Sequence, residues 1–167
     1  MRRVFITGNA GSGKTTLAKL ISNRLKRPLY SLDSIVWQSG WAITPREERN
    51  RLITGLIKED SWVIEGVSTM VLEQATTVIF LDIPRVSCFK RLILRNYKHL
   101  FKSRPELPEN CPEIKIIGKL IRIVWNFNKL VRPKIVSHLE KNIELKNIYH
   151  IKSAEDIAHL YKLFGLA

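Results

Sequence analysis

The sequence has few cysteines, no long apolar run and no repeated or low-complexity segment. Its two cysteines, Cys88 and Cys111, lie outside any Cys-x-x-Cys pair or metal-ligand spacing, which argues against a disulfide framework or a zinc site and favours a reducing compartment. The most apolar region, residues 114–131, is interrupted by four Lys or Arg, so no membrane insertion is expected. The N-terminus has too few apolar residues for a signal peptide. A cytoplasmic location is therefore expected.

Acidic residues are also scarce relative to basic ones. The chain has 28 Lys or Arg against 15 Asp or Glu, a formal net charge of +13. Residues 85–134 alone contain thirteen Lys or Arg and three Glu. A positive block of this kind attracts phosphate on nucleotides, nucleic acid or anionic lipid, but a solvated helix face produces the same pattern. Charge alone leaves these interpretations open.

Five short apolar runs alternate with helical patterns over the 167 residues, a length typical of one compact α/β domain. One helical pattern ends at Arg27-Pro28, and the next opens on a predicted capping box at residues 44–47. Another is predicted to break at Arg132-Pro133. The alternation predicts one domain, residues 1–167, with a parallel sheet covered by helices on both faces. The predicted strands are residues 3–7, 28–32, 62–65, 77–81 and 147–152, and the predicted helices after the first are about 44–58, 85–98, 114–141 and 153–164.

The residues that follow the predicted strands carry the candidate chemical groups. In open parallel sheets, ligands bind at the carboxyl ends of the strands. Here Gly8, Asp33, Glu65, Asp82 and Ser153 follow the five strands. We therefore expect these residues to lie along one edge of the sheet.

The segment from Gly8 to Thr15 matches the P-loop pattern G-x-x-x-x-G-K-[ST]. It follows a predicted strand and opens a predicted helix, an arrangement that aims backbone N–H groups and the helix N-terminus at a phosphate. Lys14 is predicted to reach the β- and γ-phosphates, and Thr15 to offer its hydroxyl to Mg²⁺. The residues predicted to contact ATP are Gly8, Asn9, Ala10, Gly11, Ser12, Gly13, Lys14, Thr15 and Thr16.

Two carboxylates are candidates for holding the metal ion or its water ligands. Glu65 ends the third predicted strand and Asp82 the fourth. We favour Glu65, because the Gly66 that follows it leaves room for a substrate beside the loop. Asp82 is interpreted as capping the turn into Pro84, which short Asp side chains do routinely.

Asp33 is the candidate group on the side of a phosphate acceptor. As a general base it would take the acceptor proton during phosphoryl transfer, and the alternative is a local cap for the following turn. Trp37 and Trp41 lie just beyond it. They are expected either to stack on a base or sugar or to pack against the protein. Both pairs of alternatives remain open from the sequence.

Arg91 and Arg95 are four residues apart and therefore share a helix face. Beside a triphosphate site, such arginines neutralise charge as the γ-phosphoryl group leaves, so both are predicted to be catalytic. The basic residues that follow, within about 96–133, are predicted to form a helical lid that closes over the phosphates.

The whole chain resembles the adenylate-kinase-like P-loop kinases, and more narrowly the DNA topology modulation proteins. The resemblance implies a P-loop NTPase three-layer α/β fold, in which a five-stranded parallel sheet is flanked by helices and a helical basic lid. The chain departs from the narrower family at Glu65-Gly66-Val67-Ser68, where relatives have Asp-Gly-Asn-Tyr. Beyond the P-loop, the resemblance is carried by Ser31-Leu32-Asp33, Trp37 with Gly40-Trp41, residues 44–47, 62–66, 81–85, Arg91 with Arg95, Arg104-Pro105, residues 111–113, 125–127 and 132–134.

These features together predict an ATP- and Mg²⁺-dependent phosphotransferase. The predicted catalytic residues are Lys14, Asp33, Arg91 and Arg95, and the predicted metal-binding residues are Thr15 and Glu65. The acceptor is not identified by the sequence, although a nucleotide or nucleoside is compatible with it. The alternatives are a nucleic-acid-binding P-loop protein that uses the nucleotide as a switch, and a weak NTPase.

Overall fold

The structure is a computed structural model that describes the backbone of residues 1–99 and 116–166 and the side chains of residues 1–94 and 116–166. Its centre is a five-stranded sheet in the order β2-β3-β1-β4-β5, and all neighbouring strands pair in parallel. This is the parallel sheet that the alternating pattern predicts. The strands are β1 (Arg3–Gly8), β2 (Leu29–Ser31), β3 (Trp62–Glu65), β4 (Thr77–Leu81) and β5 (Asn147–Ile151).

Eight α-helices connect and flank the strands in the described part of the chain. None of them is long and apolar enough to cross a membrane. A short 3-10 turn, Ser39–Trp41, lies between the second and third helices. The helices are α1 (Lys14–Leu25), α2 (Leu32–Val36), α3 (Arg46–Ile57), α4 (Thr69–Gln74), α5 (Arg85–His99), α6 (Ile117–Leu130), α7 (Arg132–Lys141) and α8 (Ala154–Phe164).

The core lies on both faces of the sheet, because successive residues of each buried strand point to opposite sides. On one face, Ile6 and Ile79 pack with apolar residues of α1, α6 and α8. On the other, Phe5 and Phe80 pack with apolar residues of α4 and α7. The fold is therefore the helix–sheet–helix arrangement that was expected.

The strand register places the five strand ends side by side. Ser31 pairs with Glu65, Gly8 with Leu81, and Leu81 with Ile151. The groups that follow the strands consequently lie along one edge of the sheet, as the sequence predicts.

Local predictions were confirmed at some helix ends and wrong at others. The break before Pro133 is present at Val131, and Ser153 forms a capping box with Asp156 at the start of α8. The capping box predicted at residues 44–47 is wrong, because α3 begins one residue later, with Pro45 at the N-cap and no side-chain cap. The backbone N–H of Thr44 instead donates to the carbonyl of Val36 at 3.0 Å, which places Thr44 before the helix.

Candidate functional site

The glycine loop connects β1 to α1 in a conformation that only glycine adopts easily at two of its positions. Gly11 has φ +78° and Gly13 has φ +99°, both in the left-handed region. A Cβ atom at Gly11 would lie 2.5 Å from the backbone oxygen of Cys88. The loop therefore packs closely on α5 and leads directly into the N-terminus of α1, where backbone N–H groups bind anions.

Two cationic side chains donate hydrogen bonds to carbonyl oxygens of the glycine loop. Lys14 Nζ donates to the carbonyl of Asn9 at 2.9 Å, and a guanidinium N–H of Arg91 donates to the carbonyl of Ser12 at 3.1 Å. Burial raises the pKa of the nearby Cys88 thiol, although the charges of Lys14 and Arg91 act in the opposite direction. The loop thus holds two positive charges beside the N-terminus of α1, which suits a polyphosphate.

The hydroxyl of Ser12 is a buried polar group without a hydrogen-bond partner among the described residues. Its side chain belongs to the glycine loop, and only 2% of the residue's surface is exposed. An orphaned buried hydroxyl is costly in a folded protein. A phosphate oxygen in the loop is a chemically suitable acceptor for it.

Glu65 is a buried carboxylate that joins the glycine loop to the end of β2. One oxygen, Oε1, accepts hydrogen bonds from the hydroxyls of Ser31 at 2.6 Å and Thr15 at 3.2 Å, and the residue is 2% exposed. Within the described parts of the chain, no Lys, Arg or His lies within ion-pair distance of this carboxylate. Carboxylate and hydroxyl oxygens beside a phosphate site are the donor set that Mg²⁺ prefers, so these residues fit the metal that the sequence predicts.

Ser31 was not assigned a role from the sequence. Its position at the end of β2, next to Glu65 in the strand register, is the signal that would have found it. Its short bond to Glu65 orients the carboxylate toward Thr15, so Ser31 supports the predicted metal-binding pair.

A cavity of about 1060 Å³ opens over the glycine loop and the ends of β2 and β3. Its volume is at the upper end of the range usual for ligand sites, so it has room for phosphates and a second molecule. The cavity brings Lys14, Thr15, Asp33, Glu65 and Arg91 together. All the predicted site residues whose side chains are described therefore line or adjoin this cavity.

Asp33 lies in the first turn of α2 and lines this cavity, and no side-chain cap is formed at the start of that helix. Its carboxylate has no hydrogen bond or ion pair with any other residue that the structure describes. The local-cap interpretation is therefore not supported. Asp33 is instead a carboxylate available to a ligand.

Trp37 and Trp41 both line the cavity and pack against each other edge to face, with ring centroids 5.2 Å apart. Trp41 is buried at 9% exposure, whereas Trp37 is half-buried. The ammonium of Lys119 in α6 lies 4.3 Å from the ring centroid of Trp37. The packing interpretation holds for Trp41, while Trp37 presents an aromatic wall to the cavity.

Asp82 forms an ion-pair cluster instead of the predicted turn cap. Its carboxylate accepts two hydrogen bonds from Nε of Arg132 and a third from Nη2 of the same side chain, and it lies 2.8 Å from Nε2 of His150. Burial alone would raise the pKa of Asp82, but the hydrogen bonds from Arg132 and His150 hold that pKa below its usual value. The cap prediction failed because both partners are distant in sequence. Asp82 is thus occupied by these partners, which agrees with the choice of Glu65 for the metal.

Helix α6 lines the main cavity and contacts the glycine loop directly. The amide of Asn9, which is 1% exposed, donates to the carbonyl of Val124 at 3.0 Å and accepts from the N–H of Ala10 at 2.8 Å. The guanidinium of Arg85 lies 4.9 Å from the ring centroid of Trp125. Sequence reasoning missed these contacts, because nothing in the local pattern links residues that are 115 or 40 positions apart.

A second, smaller cavity of about 350 Å³ adjoins the loop on its other side. It is lined by Thr16 and Leu17 of α1, by Arg91, and by Ile157 and Tyr161 of α8. Apolar side chains with one guanidinium and one phenol are suited to a flat aromatic group.

Parts of the predicted site lie outside the described residues. These parts are the Arg95 side chain and residues 100–115, which include Arg104 and Cys111. Of the predicted lid at 96–133, the structure describes the end of α5, α6 and the start of α7.

Comparisons with known proteins agree with the fold. The family model of the ATPases associated with various cellular activities (AAA) matches residues 4–83, which include the glycine loop, Asp33 and Glu65. No curated protein matches the sequence.

Among solved structures, the chain is similar to shikimate kinase from Acinetobacter baumannii in complex with shikimate, with a TM-score of 0.55, 16% identity, and 99% and 94% of the two chains covered. It is similar to shikimate kinase from Bacteroides thetaiotaomicron, with a TM-score of 0.50, 18% identity and 98% of both chains covered. A sugar kinase from Janibacter sp. HTCC2649 gives a TM-score of 0.52 at 13% identity, over 100% and 96% of the chains. The chain therefore has a P-loop NTPase-like α/β fold, and its structural neighbours include small-molecule kinases.

Proposed function

We propose that this protein is an ATP- and Mg²⁺-dependent phosphotransferase that moves the γ-phosphoryl group to a small acceptor. The observation that carries the proposal is the convergence of Lys14, Arg91, Thr15, Glu65 and Asp33 on one space. A phosphate-binding loop alone would suit any NTPase. A free carboxylate across the cavity from the loop is what a kinase needs in addition.

The glycine loop binds the triphosphate through its backbone N–H groups and the N-terminus of α1. Lys14 leaves the carbonyl of Asn9 and binds the β- and γ-phosphates, because an ammonium is attracted more strongly to a charged phosphate oxygen than to a neutral carbonyl. The base occupies the smaller cavity between Arg91 and the α8 residues Ile157 and Tyr161.

Thr15, through its hydroxyl, and Glu65 would hold Mg²⁺, which when bound would supply positive charge beside the β- and γ-phosphates. Ser31 keeps the Glu65 carboxylate pointed at this position through its 2.6 Å hydrogen bond.

Asp33 accepts the proton of the acceptor hydroxyl, and Arg91 neutralises the charge that develops as the phosphoryl group moves. Arg95, one helical turn further along α5, is proposed to assist Arg91. The segment 96–133 acts as a lid, and α6, which belongs to it, lines the cavity with Leu120, Ile123 and Phe127. Exclusion of water favours transfer to the acceptor over hydrolysis.

The proposal is tested by transfer of labelled γ-phosphate from ATP with Mg²⁺ to a panel of nucleosides, nucleotides, small alcohols and short nucleic acids. Lys14→Ala is the control, and it should abolish labelling. A labelled small acceptor establishes the kinase activity. Slow release of free phosphate without a labelled acceptor contradicts the proposal and favours a weak NTPase.

Nucleic-acid binding is the second candidate function, because residues 85–134 carry a net excess of ten positive charges. Binding to a phosphate backbone weakens by about 10³–10⁵ between 50 and 200 mM salt when 6–10 phosphates are contacted. A steep salt slope for short DNA that persists in Lys14→Ala would support this function. A flat slope would exclude it.

A further inference from the structure

Asn9 occupies the first of the four unspecified positions in the glycine-loop pattern, so the pattern itself does not require an amide there. Its backbone carbonyl accepts hydrogen bonds from Lys14 Nζ at 2.9 Å and from the N–H of Ser12 at 3.2 Å. Its side chain is engaged elsewhere, because the amide lies between the N–H of Ala10 at 2.8 Å and the carbonyl of Val124 at 3.0 Å. The residue is 1% exposed, so it joins the loop to α6 inside the protein.

Val124 lies in the middle of α6 and is fully buried. Within a helix, a carbonyl already accepts the N–H of the residue four positions later, so the amide of Asn9 adds a bond that α6 does not need for its own formation. Residues on either side of Val124, namely Leu120, Ile123 and Phe127, line the main cavity. The bond from Asn9 therefore fixes the position of this cavity wall relative to the glycine loop.

Two further contacts of α6 hold it to other elements. Lys119 lies 4.3 Å from the ring centroid of Trp37 at the end of α2, and Arg85 of α5 donates to the carbonyl of Trp125 at 3.4 Å. The bond from Arg85 is exposed, whereas the bond from Asn9 is buried. A hydrogen bond in the low-dielectric interior is stronger than one for which water competes. The Asn9 bond is thus well placed to set how closely α6 lies on the phosphate site.

From these contacts we infer that Asn9 is a positioning residue of the proposed phosphotransferase, on which this inference rests. Its side chain holds α6 against the glycine loop and so keeps the α6 wall of the cavity aligned with the nucleotide phosphates. Asn9 acts through α6, and in this role its amide contacts neither the acceptor nor the transferred group. The role belongs to the side chain and is separate from the backbone contacts with phosphate that are predicted for the loop.

The alignment of α6 decides which oxygen attacks the γ-phosphoryl group. In transfer, the acceptor hydroxyl oxygen bonds to Pγ and Asp33 takes its proton, whereas in hydrolysis a water oxygen bonds to Pγ and the proton passes to solvent. In both reactions the bond between Pγ and the β-phosphate oxygen breaks, and its electron pair remains on ADP. A helix that is held less closely admits water and orients the acceptor less well, so loss of the Asn9 bond favours hydrolysis over transfer.

Two substitutions at Asn9 and one on α6 test this inference. Asn9→Leu keeps the approximate size of the side chain but removes both amide hydrogen bonds. Asn9→Ser also removes the bond to Val124, and its hydroxyl can bond the water that enters the vacated space, which makes this variant the more compatible with folding. The matched control is Asn128→Ala, which removes an exposed amide of α6 that does not line the cavity.

The first measurement is the ratio of labelled acceptor to free phosphate at saturating ATP, together with the KM of the acceptor that the panel assay identifies. Both Asn9 variants should lower the ratio by roughly 3–10-fold and raise that KM, because loss of one hydrogen bond corresponds to about this factor. A merely structural effect reduces the amount of active protein. It lowers both products equally and leaves the ratio and the KM unchanged.

The second measurement is amide hydrogen exchange in the nucleotide-free protein, which reports on α6 without any turnover. Exchange in α6 (Ile117–Leu130) should be roughly 3–10-fold faster in both Asn9 variants than in the wild type. Exchange in α3 (Arg46–Ile57) should stay as in the wild type, and Asn128→Ala should change neither helix.

The outcomes separate this inference from the proposed function. An unchanged ratio and KM in the Asn9 variants overturns the inference and leaves the phosphotransferase standing. Equal acceleration of exchange in α3 and α6, or an equal effect of Asn128→Ala, also overturns it, because the change would then be general. If the wild type labels no acceptor, the phosphotransferase is refuted. Faster exchange confined to α6 then still supports the positioning of α6 by Asn9, and unchanged exchange overturns it.

Discussion

Replacing Glu65 by Gln should make the protein more stable and less active at the same time. The change removes one negative charge and keeps an oxygen that accepts the hydrogen bonds of Ser31 and Thr15, which are 2.6 and 3.2 Å long. A buried carboxylate without a cation in ion-pair distance costs several kcal/mol in desolvation. Its two charge-assisted bonds recover part of that cost, at about 1.5–3 kcal/mol each against about 1 kcal/mol for neutral bonds.

The difference between these contributions gives the expected size of the effect. Weakening of the two bonds costs about 1–4 kcal/mol in all, and we expect the desolvation cost that is avoided to be larger than this by about 1–2 kcal/mol. For a chain of this length, 1 kcal/mol shifts Tm by roughly 2–4 °C. Thermal unfolding without nucleotide should therefore show a rise in Tm of about 2–8 °C for Glu65→Gln.

Activity should change in the opposite direction. A neutral amide holds metal-bound water less strongly than a carboxylate, so turnover at saturating ATP and Mg²⁺ should fall by about 10–100-fold. The matched control is Glu140→Gln on the exposed surface of α7, which removes the same charge far from the cavity and should change neither quantity. A Glu65→Gln protein that is destabilised by more than about 1 kcal/mol, or that retains full turnover, would refute the reasoning, because buried-charge cost and metal binding are its two premises.

Three further predictions concern the loop and the Asp82 cluster. Arg91→Ala should lower the rate of phosphoryl transfer by about 10²–10³ while changing nucleotide affinity far less, as measured by single-turnover kinetics and calorimetry. Because the pKa of Asp82 is lowered in the folded protein, its stabilising contribution is present above its unfolded pKa of about 3.9 and is lost as pH falls below that value. Asp82→Asn should cost about 1–3 kcal/mol at pH 7 and remove this acid dependence, measured by urea unfolding between pH 3 and 7. Gly11→Ala should destabilise the protein by about 2 kcal/mol or more, whereas Gly55→Ala in α3 should be neutral or stabilising, since a Cβ at Gly55 meets nothing within 4 Å.

The sheet and the glycine loop were predictable because their signals are local. Each strand is a short apolar run that occupies the sheet interior, and the loop pattern specifies its own strand-to-helix context. Glu65 and Asp33 could be selected in the same way, since the end of a parallel strand is defined by the strand itself. Their assigned roles remain predictions.

The missed features depend on contacts between distant segments. The short helices α2 and α4 have five and six residues, too few to show a helical period, and packing on the sheet stabilises them. The capping box predicted at Thr44 did not form, although its sequence pattern is present. The Thr44 N–H donates to the carbonyl of Val36 instead, which keeps Thr44 outside α3.

Helix α6 explains why the acceptor side was harder to predict than the nucleotide side. It is tied to other elements through three separate contacts: Asn9 with Val124 at the loop, Lys119 with Trp37 beside the main cavity, and Arg85 of α5 with Trp125. None of these pairs is recognisable from spacing, yet together they place the apolar face of α6 over the cavity. The glycine loop is one continuous segment, whereas the cavity wall near Asp33 combines the segments after β2 and β3 with α6. Acceptor choice should therefore respond to changes in α6 and α2 that leave the glycine loop and nucleotide binding intact.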